Sequence, residues 1–359
     1  MQSERSPEER LGDAYNESVK DYVIDRNAVY PDPEYLIEFG GTPTVPKGNL
    51  VAISAKWKNG KTFFCDILTA VFLGSDHFAG CRSLSPSGRV LFYDTEQAES
   101  DTARIQKIID AMTPVERHND FRVFCLRDAP IDHDDKTGKP SRYEIIASGI
   151  EHEHPDLVIV DGIADLIYNY NDVIESQDMV NDLAALASRN NCTIVVVMHQ
   201  NKGSNDKMMK GHIGTMLYQK CSDVFRVEKH GTLFVATHTE TRHRQSQGLV
   251  FKLDENAIPM DATADRHLQI EIKRQQDKAE LHNQIAMCIE GIAPDSAVRR
   301  NIVMSIQERL GYGNKKSYDM FNEAVRLGIL KTSDNRFYTL EPLTAPNPAQ
   351  AAPSQLTVS

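Results

Sequence analysis

From residue 49 onward, short apolar runs alternate with longer amphipathic stretches. The runs at 50–54, 90–93, 122–126, 157–160 and 193–198 have the length of buried strands. Between them, residues 61–73, 98–112, 143–151 and 173–189 carry apolar positions at helical spacing. Strands joined through crossover helices pair in parallel and are covered on both faces. The expected fold is therefore α/β, a mainly parallel sheet sandwiched by helices. LVIV (157–160) and TIVVVM (193–198) contain almost no polar position and belong at its centre. After Ser222 the texture changes to VFRVEK, TLFVATHTE and GLVFKLDE, whose alternation predicts antiparallel strands extending the sheet edge.

The flanks are patterned differently. Residues 1–36 are acidic and read as an arm, with one helix near 14–24 and a Pro-rich end at Tyr30-Pro31-Asp32-Pro33. The main domain spans 37–255, and 256–266 (NAIPMDATADR) reads as a linker. A small domain at 267–341 follows, with helical patterns at 277–292, 296–310 and 315–327. Ile329-Leu330-Lys331, a tight Ser333-Asp334-Asn335 turn and Arg336-Phe337-Tyr338 complete a winged-helix-like pattern. In the third helix Tyr318, Phe321, Ala324, Val325 and Leu327 are the expected buried stripe. The Pro/Ala-rich stretch 342–359 is expected to be disordered.

Composition narrows the class. The 359 residues are 40% hydrophobic and 25% charged, ordinary for a globular protein, and no run approaches the ~20 apolar residues of a membrane span. The polar, acidic first residues lack the pattern of a signal or transit peptide. Six cysteines lie far apart without a CxxC pair, four of them in or beside apolar runs, as expected of reduced, buried thiols in a cytoplasmic protein. Net charge is −11, yet residues 266–341 hold 12 Lys+Arg against 10 Asp+Glu, so the acidity lies elsewhere. Glu151-His152-Glu153-His154 has metal-ligand residue types, but neighbours on a helix diverge, and the run is expected to end a helix on a solvated face.

Candidate chemistry gathers at strand ends. Ala55-Lys56-Trp57-Lys58-Asn59-Gly60-Lys61-Thr62 follows a strand and opens a helix, the setting in which backbone N–H groups and a helix N-terminus surround phosphate oxygens. Lys61 would reach the β- and γ-phosphates of ATP and Thr62 would ligate Mg²⁺. Ala55 replaces the first glycine of that pattern, a modest change if its φ stays negative. Asp161 closes LVIV, where a carboxylate can hold Mg²⁺ through water. The strand VLFY ends in Asp94-Thr95-Glu96, and a carboxylate there can act as general base on the attacking water. AAA+ ATPases place a Glu directly after the Asp of the second motif; here that position is Gly162.

Taken together, these motifs resemble the RecA family of P-loop ATPases over residues 40–255, about three-fifths of the chain. The resemblance implies that Glu96 is the catalytic base, with Asp94 in support. It further implies that a polar residue after TIVVVM senses the γ-phosphate, Gln200 first and His199 second. In such proteins the following loop contacts DNA in a central channel, which makes Lys202, Lys207 and Lys210 candidates. Arg242 and Arg244 lie in the segment where hexameric RecA-fold ATPases, plasmid replicative helicases of the RepA type among them, carry a basic pair that reaches the neighbouring subunit's nucleotide. Arg299, Arg300, Lys315, Lys316 and Arg336 are candidates for contact with duplex DNA at the winged-helix-like domain.

The leading expectation is a DNA-dependent ATPase that forms a homo-oligomer, a hexamer by the resemblance, holds single-stranded DNA in its channel and unwinds or remodels it. A non-translocating ATP switch that recruits or regulates a replication, transposition or repair partner is the alternative. A nucleotide-dependent kinase is weaker, because no phosphoacceptor site or lid motif is evident.

Overall fold

The computed structural model describes residues 12, 15–20, 23–85, 87–134, 136–201, 207–263, 266–332 and 336–342, with side chains from 272 in the helix that begins at 266. Lys202, the 333–335 turn and the tail from 343 therefore lie outside the described residues. The chain divides between Glu34 and Tyr35. Within the first unit residues 15–19 are helical, and Asp25 N donates to the Tyr30 hydroxyl at 2.9 Å.

Nine strands form the central sheet of the second unit. β3 (Leu50–Ala55), β5 (Val90–Asp94), β6 (Phe121–Cys125), β7 (Leu157–Asp161), β8 (Thr193–His199) and β9 (Asp223–His230) are parallel. β10 (Leu233–Thr241), β11 (Leu249–Leu253) and β12 (Pro259–Asp261) add an antiparallel edge, in the order β12-β11-β10-β9-β3-β8-β7-β5-β6. The expected α/β class is the one observed. One strand differs from expectation: VFRVEK, within β9, pairs in parallel with β3, and only its outer side meets an antiparallel partner. The segment read as a linker also contributes β12 to the sheet.

Every residue of β7 is buried, as are the first six of β8. Fully burying a Val, Leu or Ile side chain contributes roughly 1.5–3 kcal/mol, so these strands carry much of the fold. Helices α1 (Lys61–Phe72), α2 (Glu99–Met112), α3 (Arg142–Glu153), α4 (Val173–Arg189) and α5 (Gly211–Lys220) cover the sheet. Strand alternation sorts the strand residues between two layers. Ile53, Ala55, Phe92, Ile159, Val195 and Val197 face the layer of α1 and α2. Ala52, Leu91, Tyr93, Val158, Val160, Val196 and Met198 face that of α3, α4 and α5. A smaller sheet of β1 (Tyr35–Phe39), β2 (Thr42–Pro46) and β4 (Cys81–Ser83) joins the first layer. β1 begins inside the segment read as an arm.

Helices α6 (Arg266–Ile289), α7 (Arg299–Leu310) and α8 (Asn314–Arg326), with the hairpin β13 (Leu330–Lys331) and β14 (Thr339–Leu340), share a separate apolar cluster. α6 starts earlier than its periodicity indicates, and its Ile272 packs with Leu233, Val250 and Ala262 at the sheet edge. The buried face of α8 is Ser317, Met320, Phe321 and Ala324. Tyr318 and Val325, expected in that stripe, are 36% and 37% exposed; at 100° per residue they fall beside the buried row, and the Arg299 guanidinium covers the Tyr318 ring at 5.1 Å.

All six cysteines are free, and Cys65, Cys192, Cys221 and Cys288 are buried. His154 ends α3 in the left-handed region at φ 48°. Its neighbours Glu151 and Glu153 pair with Arg189 and Arg89 rather than forming a metal site. Among the described residues no helix is long and apolar enough to cross a membrane.

Candidate active site

The loop from Ala55 to Thr62 connects β3 to α1 at the carboxyl edge of the parallel strands. Its positive-φ residues are Lys58 (58°) and Gly60 (84°), so Ala55, the last residue of β3, does without a glycine's freedom. Gly60 is needed twice over: besides its φ, a Cβ there would lie 2.5 Å from the Phe234 ring. Asn59 N closes a turn on Lys56 O at 3.2 Å, while Trp57 is 73% exposed with the Lys58 ammonium 4.2 Å from its ring centroid. Trp57 thus packs on the loop's own lysine.

Lys61 opens α1, and burial lowers its pKa from the ordinary lysine value, partly offset by Asp161 and Glu96. The Thr62 hydroxyl donates to Asp161 Oδ2 at 2.6 Å. Burial, with help from Glu96 and Asp94, raises the Asp161 pKa to about 6 against the pull of that hydrogen bond. A hydroxyl and a carboxylate in contact beside a phosphate-binding loop are a donor set suited to Mg²⁺ with phosphate and water oxygens. Among the described residues no group of three or more His, Cys, Asp or Glu makes a protein-only metal cage.

Asp94 and Asp161 stand level on adjacent strands. The Asp94 carboxylate accepts from Glu96 N, Gln97 N, Gln97 Nε2 and the Thr102 hydroxyl, so it shapes the strand end instead of facing the loop. Glu96 projects beyond it, with Oε1 3.4 Å from His199 Nε2. That contact lowers the Glu96 pKa, with Lys61 adding to the effect. On its other side His199 presents Nδ1 to Lys61 Nζ at 3.1 Å.

Gln200, ranked ahead of His199 by sequence, is buried and directs Nε2 to the Ser54 hydroxyl at 3.2 Å. Parity separates the two positions. His199 falls in the same alternating set as Val195 and Val197 on the α1 side, whereas Gln200 follows Met198 on the other. Sequence reading also passed over Thr95 and Asp165. The buried Thr95 hydroxyl lies 3.0 Å from Asp161 O, Gly162 O and Asp165 Oδ2. Gly162, at φ 119°, makes room for this approach, since a Cβ would sit 2.4 Å from Thr95 Oγ1 and 3.0 Å from Glu96 Cγ.

The basic candidates are dispersed. Lys207 pairs with Glu228 at 3.0 Å, and Lys210, with Nζ 4.5 Å from the Tyr170 ring, precedes α5; both follow β8 on the edge that carries the loop. Arg242 and Arg244 follow β10, whose last residue, Thr241, is level with Asp223 and through it with Val51. They therefore emerge at the opposite sheet edge, away from this chain's own Lys61. The Arg242 guanidinium donates to Gln219 O and Lys220 O at the end of α5, while Arg244 is exposed. In the C-terminal cluster Arg299, Arg300, Lys315, Lys316 and Arg336 are exposed; Arg299 bonds Asn322, and Lys316 lies 3.6 Å from the Tyr312 ring.

A loop of P-loop pattern, a Thr–Asp pair beneath it and an acidic neighbouring strand end lie together on one edge of a mainly parallel sheet, the arrangement of a P-loop ATPase. A sequence profile described as an AAA domain matches residues 15–205, more than half of the chain, and the protein belongs to that family (AAA_25). The matched span contains Lys61, Glu96, Asp161 and His199. Among solved structures, the crystal structure of the RadB recombinase is similar at 18% identity and a TM-score of 0.40, covering 60% of this chain and 91% of that one. No curated relative matches the sequence.

Proposed function

We propose that the protein hydrolyses ATP with Glu96 as general base and couples the reaction to DNA in an oligomeric ring. The observation that carries this reading is the convergence of Lys61, the Thr62–Asp161 pair and the Glu96–His199 pair on one sheet edge. In this reading Lys61 and the loop amides hold the phosphates, and Thr62 and Asp161 hold Mg²⁺, which polarises the phosphate oxygens. Glu96 takes the proton of the attacking water. His199, on the loop side of β8, replaces Gln200 as the residue that meets the γ-phosphate. Lys61→Ala should abolish hydrolysis in purified protein; an unchanged rate rejects the site.

DNA coupling is supported by the lysines that follow β8 on the nucleotide edge and by the exposed basic residues of the C-terminal cluster, read as a winged helix. Arg244 lies at the edge away from its own Lys61, so any part it plays in hydrolysis would be at the nucleotide of a neighbouring subunit. Strand displacement on forked DNA, recorded with ATP hydrolysis, separates a motor from a non-translocating switch. Unwinding supports the motor, and DNA-stimulated hydrolysis without unwinding supports the switch.

A further inference from the structure

We propose that His199 takes up a proton when a nucleoside triphosphate binds and gives it up when the γ-phosphate leaves. The proposal rests on the site described above and concerns the two ring nitrogens. Nε2 faces Glu96 Oε1 at 3.4 Å and Nδ1 faces Lys61 Nζ at 3.1 Å. An ammonium only donates, so Nδ1 accepts from Lys61 and the ring proton sits on Nε2, directed at the carboxylate. A neutral imidazole satisfies both neighbours.

A triphosphate held by the loop changes one of them. Lys61 turns to phosphate oxygens, and the group that Nδ1 then meets is an acceptor. With an acceptor on each side, a neutral ring leaves one nitrogen lone pair facing an anion in either tautomer. Only the imidazolium donates from both nitrogens, so one proton moves from solvent to Nδ1. Of the other charged groups around the ring, Glu96 beyond β5 favours the same outcome, and Asp165 in the 3-10 turn after β7 does so less, because burial raises its pKa. Lys61 on α1 and a Mg²⁺ ion at Thr62 and Asp161 oppose it. The direct hydrogen bonds decide, since His199 is only 31% exposed at the side chain and has limited water to replace a missing donor. A diphosphate supplies no γ-oxygen and leaves the ring neutral.

Calorimetric titration of the wild-type protein tests this at pH 7.5 with excess Mg²⁺, using a non-hydrolysable ATP analogue and ADP in buffers of different ionisation enthalpy. Proton uptake with the analogue should exceed that with ADP, by up to about one proton per site. Affinity for the analogue, but not for ADP, should fall by up to about tenfold per pH unit above pH 8. His199→Gln, which donates without titrating, should lose the difference in uptake between the two nucleotides. Equal uptake with the two nucleotides, or a difference that survives His199→Gln, overturns the proposal and leaves the P-loop reading standing. Failure of both nucleotides to bind overturns both.

Discussion

Gly162→Ala tests how the acidic strand ends are fitted together. Gly162 follows Asp161 at φ 119° and ψ 69°, a region that L residues avoid at a cost of about 1–3 kcal/mol. The added methyl group would also lie 2.4 Å from Thr95 Oγ1 and 2.8 Å from Asp165 Oδ2. Thr95 Oγ1 is buried among Asp161 O, Gly162 O and Asp165 Oδ2, so turning it away sacrifices a hydrogen bond worth about 1 kcal/mol. Together these predict a loss of about 2–4 kcal/mol in urea denaturation. The functional effect is separate. Thr95 and Glu96 must shift to relieve contacts of 2.4 and 3.0 Å, and a displacement of about 1 Å at a catalytic group can cost on the order of 10²-fold in rate. The phosphate-binding loop lies on a different connection, so ADP affinity should stay within a few-fold. The assay pairs steady-state ATP hydrolysis with ADP titration on protein shown to be folded by circular dichroism. A folded variant that hydrolyses ATP at the wild-type rate would refute the argument that Gly162 sets the place of Glu96.

Three other expectations follow from the same geometry. Burial holds the Asp161 pKa up at about 6, so its contribution to folding is fully present below the ordinary aspartate value near 4 and is lost as pH rises through 6. Asp161→Asn should therefore gain on the order of 3 kcal/mol relative to wild type between about pH 4 and pH 7 in urea denaturation without nucleotide, and a pH-independent difference contradicts the buried-carboxylate account. Mixing Arg244→Ala subunits with Lys61→Ala subunits should restore some ATP hydrolysis that neither has alone; no recovery at any ratio removes the intersubunit role. Lys315→Ala/Lys316→Ala should weaken duplex binding and lower the salt dependence by about one to two released counterions, whereas an unchanged slope places the duplex elsewhere.

The parallel core was readable because its strands are almost free of polar residues and its helices carry a 3.6-residue period. β1 and β2 were not, since β2 is TPTVP, whose two prolines argue against a strand until an edge position is known. α5 was hidden by Gly211 and Gly214; Gly214 is there because a Cβ would meet Met209 at 2.6 Å. β12 was lost inside a segment that looks like a linker, because a three-residue strand leaves no period to detect. At the site, each motif was visible as a strand end, yet its direction was not. Continuing the in–out alternation of β8 by one residue puts His199 on the α1 side and Gln200 on the other. The position of Arg242 and Arg244 required the pairing of β10 with β9, a long-range fact that local pattern does not contain.

The most direct measurement of the central claim is nucleotide binding and hydrolysis by Glu96→Gln on the same preparation. Because the amide keeps the shape of the side chain and cannot accept the water's proton, ATP should bind with near wild-type affinity while turnover falls on the order of 10²-fold or more. Near-normal turnover by a variant that binds ATP would contradict the account and place the base elsewhere.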